Sequence, residues 1–355
     1  MSTTTRAQRG PVLAALPAIR QRASMIVGGV LVTLLSIWLV VNAVKAPGSF
    51  TIVLLSGVRD GSIYALVALG YTLVYGIIEL INFAHGDVFM WGNMITITIA
   101  STIFGLDGTQ SWAVTIPLVI LTLFGAMAFC ATLNVTIERL AYRPLRNAPR
   151  LAPLITAIGV SYILQDAAGA IYGFGSQSIG DIFPTQPLFH LGGTAFRAKS
   201  LIVILVTIPV LLALTYLVRS TRAGKAMRAT AQDMEAARML GIDVDRTIAF
   251  TFALAGALAG AAGTLYIMFY TNARFDLGFQ LGLYAFTAAV LGGIGNLTGA
   301  ALGALIIGLI INFNEGLTWH APGSDWTESM IFGILILILV FRPQGLLGEQ
   351  TADRA

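Results

Sequence analysis

Glu79-Leu80-Ile81-Asn82-Phe83-Ala84-His85-Gly86-Asp87 puts two carboxylates, an amide and an imidazole within nine residues where an apolar run ends. Ionisable groups at bilayer depth are costly to keep, so Glu79, Asn82, His85 and Asp87 are candidates for contacting a polar solute on a path through a membrane. Gly86 could interrupt the helix and free backbone groups for that solute. An interfacial reading stands beside this one, with Glu79 and Asp87 solvated and Asn82 and His85 capping or bridging helices. A metal site is not expected, because the chain has 3 histidines in all and His190 and His320 fall in other loops.

Residues 222–246 form the other chemically distinct segment, RAGKAMRATAQDMEAARMLGIDVDR. Read as one helix, Met227, Ala231, Met234 and Ala237 recur at spacings of four, three and three, an apolar stripe beside a cationic face. Gly241 suits the position just past a helix end, and Ala236-Ala237 would let another surface approach closely. An apolar stripe with no domain of its own to cover it needs a partner, so the segment reads as a docking element.

No catalytic pattern accompanies these residues. The loops carry no His and carboxylate pair at metal spacing, no nucleophile elbow and no phosphate-binding Gly-x-x-x-x-Gly-Lys-Ser/Thr loop; Gly224-Lys225 is followed by Ala226. If ATP drives this protein, the nucleotide binds another polypeptide.

The elements that must position these residues follow from composition. Hydrophobic residues make up 56% of the chain and charged ones 11%, the balance of an integral membrane protein. The net charge of +4 comes from basic residues at the ends of apolar runs, which points to membrane topology and not to nucleic acid. The single cysteine, Cys130, excludes an internal disulfide and a cysteine-based metal cluster.

A hydrocarbon core of about 30 Å needs about 20 apolar residues per helix. Such runs occur near 25–44, 62–81, 87–105, 112–137, 151–172, 200–218, 247–270, 279–295, 299–315 and 328–341. The expected fold is an all-α polytopic transmembrane bundle of about ten spans, some broken or re-entrant, with one of the two short runs near 279–315 the candidate for a re-entrant segment. Arg6, Arg9, Arg20 and Arg22, then Arg139, Arg143, Arg146 and Arg150, then Arg219, Arg222, Lys225, Arg228 and Arg238 mark the cytoplasmic side, which places both termini inside. Residues 173–199 form the longest outer loop.

Residues 1–48 read as a basic lead and an uncleaved anchor, 49–348 as a single transmembrane domain containing the charged loop 219–246, and 349–355 as a cytoplasmic tail. Gly256, Gly260, Gly295, Gly299 and Gly303 are expected to let helices pack closely in lipid. Arg59-Asp60, ahead of the second run, reads as an interfacial pair at the outer boundary, with part of an outer gate as the alternative. Asn312, Asn314, Glu315 and Gln165-Asp166 read as partners in hydrogen bonds between helices.

Residues 64–78 (YALVALGYTLVYGII), 81–87 (INFAHGD), 286–295 (FTAAVLGGIG) and 342–348 (RPQGLLG) resemble the permease subunits of bacterial branched-chain amino acid ABC importers, specifically the H-type subunit. The resemblance covers about residue 50 to 348. It implies that Glu235-Ala236-Ala237 with Gly241, flanked by Met234 and Arg238, is the coupling motif that seats a short cytoplasmic helix in a groove of the ATPase. It also implies an M-type permease partner, two ABC ATPase subunits carrying ATP and Mg, and an external amino-acid-binding protein, with no cofactor on this chain. The first 48 residues depart from that pattern. A permease for urea or short-chain amides would share the architecture, and a channel or ion-coupled secondary transporter would account for the spans without requiring the coupling helix.

Overall fold

Apolar runs bounded by Pro, Gly and capping side chains become helices throughout the computed structural model. It describes residues 33–146, 148–149, 151–183, 187–191, 194–342 and 344–348, with the backbone alone over 187–198. The basic lead, the start of the expected first span and the tail lie outside the described residues. The remainder of that first run is α1 (Thr33–Lys45). Then come α2 (Pro47–Ile78), α3 (His85–Ile97) with a π-helical turn Thr98–Ile103, α4 (Trp112–Ile137) with a π-helical turn Glu138–Tyr142, and α5 (Leu151–Tyr172). After them follow α6 (Ala198–Ser220), α7 (Arg222–Gln232), α8 (Met234–Met239), α9 (Val244–Tyr270), α10 (Leu277–Gly292), α11 (Leu297–Gly316) and α12 (Thr327–Phe341).

The chain is an all-α polytopic protein, and seven described helices are long and apolar enough to cross a membrane. The expectation of about ten differs for three runs. α10 has 16 residues, roughly 24 Å at 1.5 Å per residue, short of a full hydrocarbon core. The run near 87–105 divides into 13 residues of α-helix and a six-residue π-helical turn, and opens on His85 and Asp87. Only 33–45 of the first run is described. α2 departs in the other direction: it begins 15 residues before the expected span, with Pro47 supplying a preset first turn.

α2 is the central helix, packed against α9, α10 and α11, while α3 lies against α9 and α10. Its middle, from Arg59 to Val74, is buried without a break. α4, α5, α6 and α12 surround this core and turn Phe124, Ile155, Leu205, Leu212 and Ile336 outward, the apolar surface that a lipid environment solvates.

Close backbone contact draws α4 onto α9. A Cβ at Gly256 would lie 2.3 Å from the Cys130 carbonyl oxygen, and one at Gly260 would lie 2.6 Å from that of Ala126. Gly299 and Gly303 meet the carbonyls of Gly292 and Ala288 on α10 in the same way. Gly295 is different from the packing role expected of it. It lies in the α10–α11 turn at φ +95° with no neighbour near its Cβ position, so its contribution is backbone conformation.

The bundle has two distinct ends. At one, β1 (Gln177–Ser178) pairs antiparallel with β4 (Asn272–Ala273), and β2 (Pro187–Leu191) with β3 (Thr194–Arg197). At the other, α7 and α8 form an elbow between α6 and α9. Beside it the chain after α12 folds back: Leu346 and Leu347 N–H groups donate to Leu291 and Gly292 carbonyls at 2.8 and 3.0 Å. Two of the stretches carrying the family resemblance, 286–295 and 342–348, thereby meet.

Candidate functional site

The helix break at the polar cluster lies earlier than Gly86. α2 stops at Glu79, whose backbone adopts φ +52° and whose N–H donates to the Tyr75 carbonyl at 2.8 Å. Gly86 sits inside the first turn of α3, where a Cβ would lie 2.3 Å from the Gly278 carbonyl oxygen. Gly86 therefore permits packing of α3 on α10, and the freed backbone belongs to 79–84.

Asn82, His85 and Asp87 are buried and Glu79 is exposed. Asp87 accepts hydrogen bonds from Ser161 Oγ and from Gln165 Nε2, the latter at 3.0 Å, which ties α3 to α5. Asn82 Oδ1 accepts from the Tyr142 hydroxyl at 2.8 Å. His85 lies edge-on to the Tyr71 ring with centroids 4.9 Å apart, and neither ring nitrogen has a well-formed hydrogen bond. Gly70 creates the space for it, since a Cβ there would lie 2.2 Å from His85 Nε2.

A void bordered by Tyr71, Asn82 and Phe286 measures about 10 Å³, room for roughly one water. In this conformation the cluster is a closed polar brace. Ser161 and Tyr142 complete it. Sequence reading missed both, because a lone Ser or Tyr in an apolar helix carries no spacing signal.

The charged segment 222–246 is not one helix. Asp233 is extended, at φ −158° and ψ 112°, and separates α7 from α8. Its Oδ1 accepts from the N–H groups of Glu235 at 2.8 Å and Ala236 at 3.0 Å, so a strong N-cap residue starts the second helix. Gly241 at φ +82° ends it, with Gly241 N–H donating to Arg238 and Ile242 N–H to Ala237, each at 3.0 Å. Asp243 then caps α9 by accepting from Arg246 N–H at 3.0 Å.

This break reverses the expected stripe. Met227 and Ala237 face the bundle and are buried, and Met234 and Ala236 are half-buried. Of the stripe only Ala231 stays exposed, and the large apolar side chains left outside are Met239 and Leu240, 83% and 79% exposed, beside exposed Glu235, Arg238 and Gly241. Next to the elbow, Arg146 bridges the buried carboxylate of Glu138 and that of Asp245, which Arg143 also contacts. These ion pairs fix the end of α4 to the start of α9.

Cavities open at both ends. Near the elbow, about 460 Å³ lies between α2, α7 and the α10–α11 turn, with Thr72, Arg219 and Arg228 on its wall. At the opposite end, about 680 Å³ is enclosed by α2, α9, α10, α11 and the start of α12. Arg59 and Asp60 line the latter, buried within the protein at this end of the bundle. Asn312 donates to Asp60 at 2.9 Å, Asn314 to Thr327 at 2.9 Å, and Glu315 accepts from Thr327 at 2.7 Å, so these polar groups do join helices. Asp166, in contrast, is exposed.

The family described as branched-chain amino acid transport system / permease component matches residues 53–340. The chain belongs to this family. It is similar to the high-affinity branched-chain amino acid transport system permease protein BraD of Pseudomonas aeruginosa, 40% identical over 305 residues, covering 85% of this chain and 96% of the relative. LivH of Escherichia coli, a permease protein with the same description, is 39% identical over 84% of this chain and 96% of its own length. A probable branched-chain amino acid transport permease of Methanocaldococcus jannaschii is 30% identical over 81% and 89%. The match runs from the second turn of α2 through most of α12, so the buried cluster, the elbow and both cavities lie inside the region that defines the permease family.

Proposed function

We propose that this chain is the H-type permease subunit of a bacterial ATP-driven importer of branched-chain amino acids. It lies in the inner membrane and supplies the transmembrane path. The observation that carries the reading is the elbow. A permease-family bundle presents Met239 and Leu240 almost fully exposed at its arginine-rich end, on a short helix rigidly capped by Asp233 and Gly241. Two large apolar side chains held out in this way fit a groove on a partner.

Glu235, Ala236, Ala237 and Gly241, with Met234 and Arg238, form the ATPase-coupling element. In it Ala237 seats the helix on the bundle and Met239-Leu240 reach the partner. ATP and Mg bind two ABC ATPase subunits, and this chain holds no cofactor of its own. A second, M-type permease and an external amino-acid-binding protein complete the assembly. Ten transmembrane segments result if α1, α3 with its π-helical turn and α10 are counted with the seven long helices, and the arginine-rich end then faces the cytoplasm with both termini. Closure of the ATPases moves the elbow and shifts the bundle between outward and inward openings, which requires contacts that differ between the two states. Asn82, His85 and Asp87, closed here, are the groups such a shift would uncover, with Glu79 already exposed.

Reconstitution tests the reading. Proteoliposomes holding this chain, the second permease and both ATPases, supplied with the binding protein, are expected to accumulate leucine only with ATP inside the ATPase compartment. Uptake that survives removal of the ATPases, or that follows an ion gradient alone, would assign a secondary transporter. Uptake of urea or acetamide in place of leucine would assign the amide importer.

A further inference from the structure

Among the described residues, Arg59–Asp60 is the one ion pair with both side chains less than a tenth exposed, at 9% and 5%. A buried pair of this kind is poor evidence for stability, because desolvation can exceed the Coulombic gain. Its setting is specific. Arg59 Nε and Nη2 each donate to Asp60 at 2.8 Å, and the guanidinium lies over the Phe269 ring at 3.7 Å from its centroid. Asn312 holds Asp60 from α11. The pair is thus a dipole fixed from three helices, and it forms part of the wall of the 680 Å³ cavity at the end away from the elbow.

The pair retains capacity for a ligand. Both donors that Arg59 uses on Asp60 leave Nη1 paired with no carboxylate. Asp60 Oδ1 accepts from Arg59, and the Tyr270 hydroxyl, on the same cavity wall, is the further donor beside this carboxylate, so a ligand ammonium would compete with Tyr270 for it. Tyr64, 7% exposed, lines the same cavity, and its hydroxyl forms no hydrogen bond among the described residues. An α-amino acid head group has the complementary chemistry, with an ammonium for Asp60 Oδ1 and a carboxylate for Arg59 Nη1 and the Tyr64 hydroxyl.

The charge of the cavity narrows the choice. Asp60, Glu315, Asp325 and Glu328 stand against Arg59 alone, four carboxylates to one guanidinium. That field attracts ammonium groups and repels simple carboxylates. Leu281 and Ile311 supply apolar wall for an aliphatic side chain.

We propose that Arg59, Asp60 and Tyr64 form a receiving site for the zwitterionic head of an aliphatic α-amino acid, on the side where an external binding protein would deliver it. The site rests on the amino-acid substrate proposed above. It lies apart from the Asn82–Asp87 cluster and comes before it on an inward route.

The test uses Ser324→Cys, an isosteric change at an exposed residue on the cavity wall, in the complete assembled transporter. Cys130, the one native cysteine, is buried. The rate of modification by a cationic methanethiosulfonate is measured with leucine, 3-methylbutylamine or 4-methylpentanoate. Leucine at ten times its half-protecting concentration is expected to slow labelling about tenfold, 3-methylbutylamine, which offers Arg59 and Tyr64 no carboxylate, to need at least about ten times more for the same protection, and 4-methylpentanoate not to protect. Asp60→Asn, and separately Tyr64→Phe, which keeps the ring, are expected to weaken leucine protection at least about tenfold, each measured against that variant's own rate without ligand. Equal protection by 3-methylbutylamine would overturn the zwitterion site. So would leucine protection untouched in Tyr64→Phe, or absent from a Ser324→Cys transporter that imports leucine. Uptake is read separately: protection without uptake refutes the transport assignment and leaves the site standing.

Discussion

Replacing Met239 and Leu240 together by serine should uncouple the permease from its ATPase without unfolding it. At 83% and 79% exposure, almost the whole of each side chain is available to be buried by a partner. Full burial of a Met or Leu side chain is worth about 1.5–3 kcal/mol. Association returns only part of that, because side chains must also be ordered. Taking about 3 kcal/mol for the pair gives a weakening of roughly 100-fold at about 1.4 kcal/mol per factor of ten. The substitution removes no internal contact of the bundle, so stability should move by no more than about 0.5 kcal/mol. The assay is titration of labelled ATPase onto the permease pair in nanodiscs, with thermal unfolding of the permease measured alongside and Lys225→Ser as an exposed polar control. A fall in affinity of less than about threefold, with the permease folded, would refute the docking role of this knob.

Gly256→Val and Gly260→Val place side-chain atoms where the Cys130 and Ala126 carbonyls already lie. Each should destabilise by about 1–3 kcal/mol, visible as a lower Tm in detergent, and an unchanged Tm would show that α4 yields freely. Asp87→Ala strands Ser161 and Gln165 inside the bundle and should cost about 1–3 kcal/mol. Asp87→Asn, which can still bond both, should retain most of that stability, and equal losses in the two variants would argue for charge in place of bracing. Arg146→Ala leaves the Glu138 carboxylate, 1% exposed, without its cation and should destabilise by about 3–5 kcal/mol. Arg143→Ala at the exposed rim should change stability by no more than about 1 kcal/mol in the same melting experiment.

The membrane character and most helices were legible because lipid demands long apolar runs, and the elbow because its charges interrupt them. The break inside the elbow was written in Asp233, a preferred N-cap, but a periodic reading of Met227, Ala231, Met234 and Ala237 passes straight over it. That reading put the wrong apolar groups outside. Met239 and Leu240 carry the exposed surface because Asp233 resets the helical phase and Gly241 ends α8 immediately after them. The burial of the pair Arg59-Asp60 was not legible for a related reason. Hydropathy counts charges as boundaries, whereas these two neutralise each other and are held by Phe269 and Asn312 from helices more than 200 residues away in sequence. Asn82, His85 and Asp87 were recognisable as unusual. Their closure against Tyr142, Tyr71, Ser161 and Gln165 depends on tertiary contacts that no local spacing encodes.

The sidedness of the elbow tests the account most directly. Leu240→Cys in an otherwise native assembly should resist a membrane-impermeant maleimide in intact cells. In inside-out vesicles stripped of the ATPases it should react readily, and it should be protected again when they are rebound. Labelling from the outside of intact cells, or reactivity in inverted vesicles that the ATPases leave unchanged, would contradict a permease gripped from the cytoplasm through Met239 and Leu240.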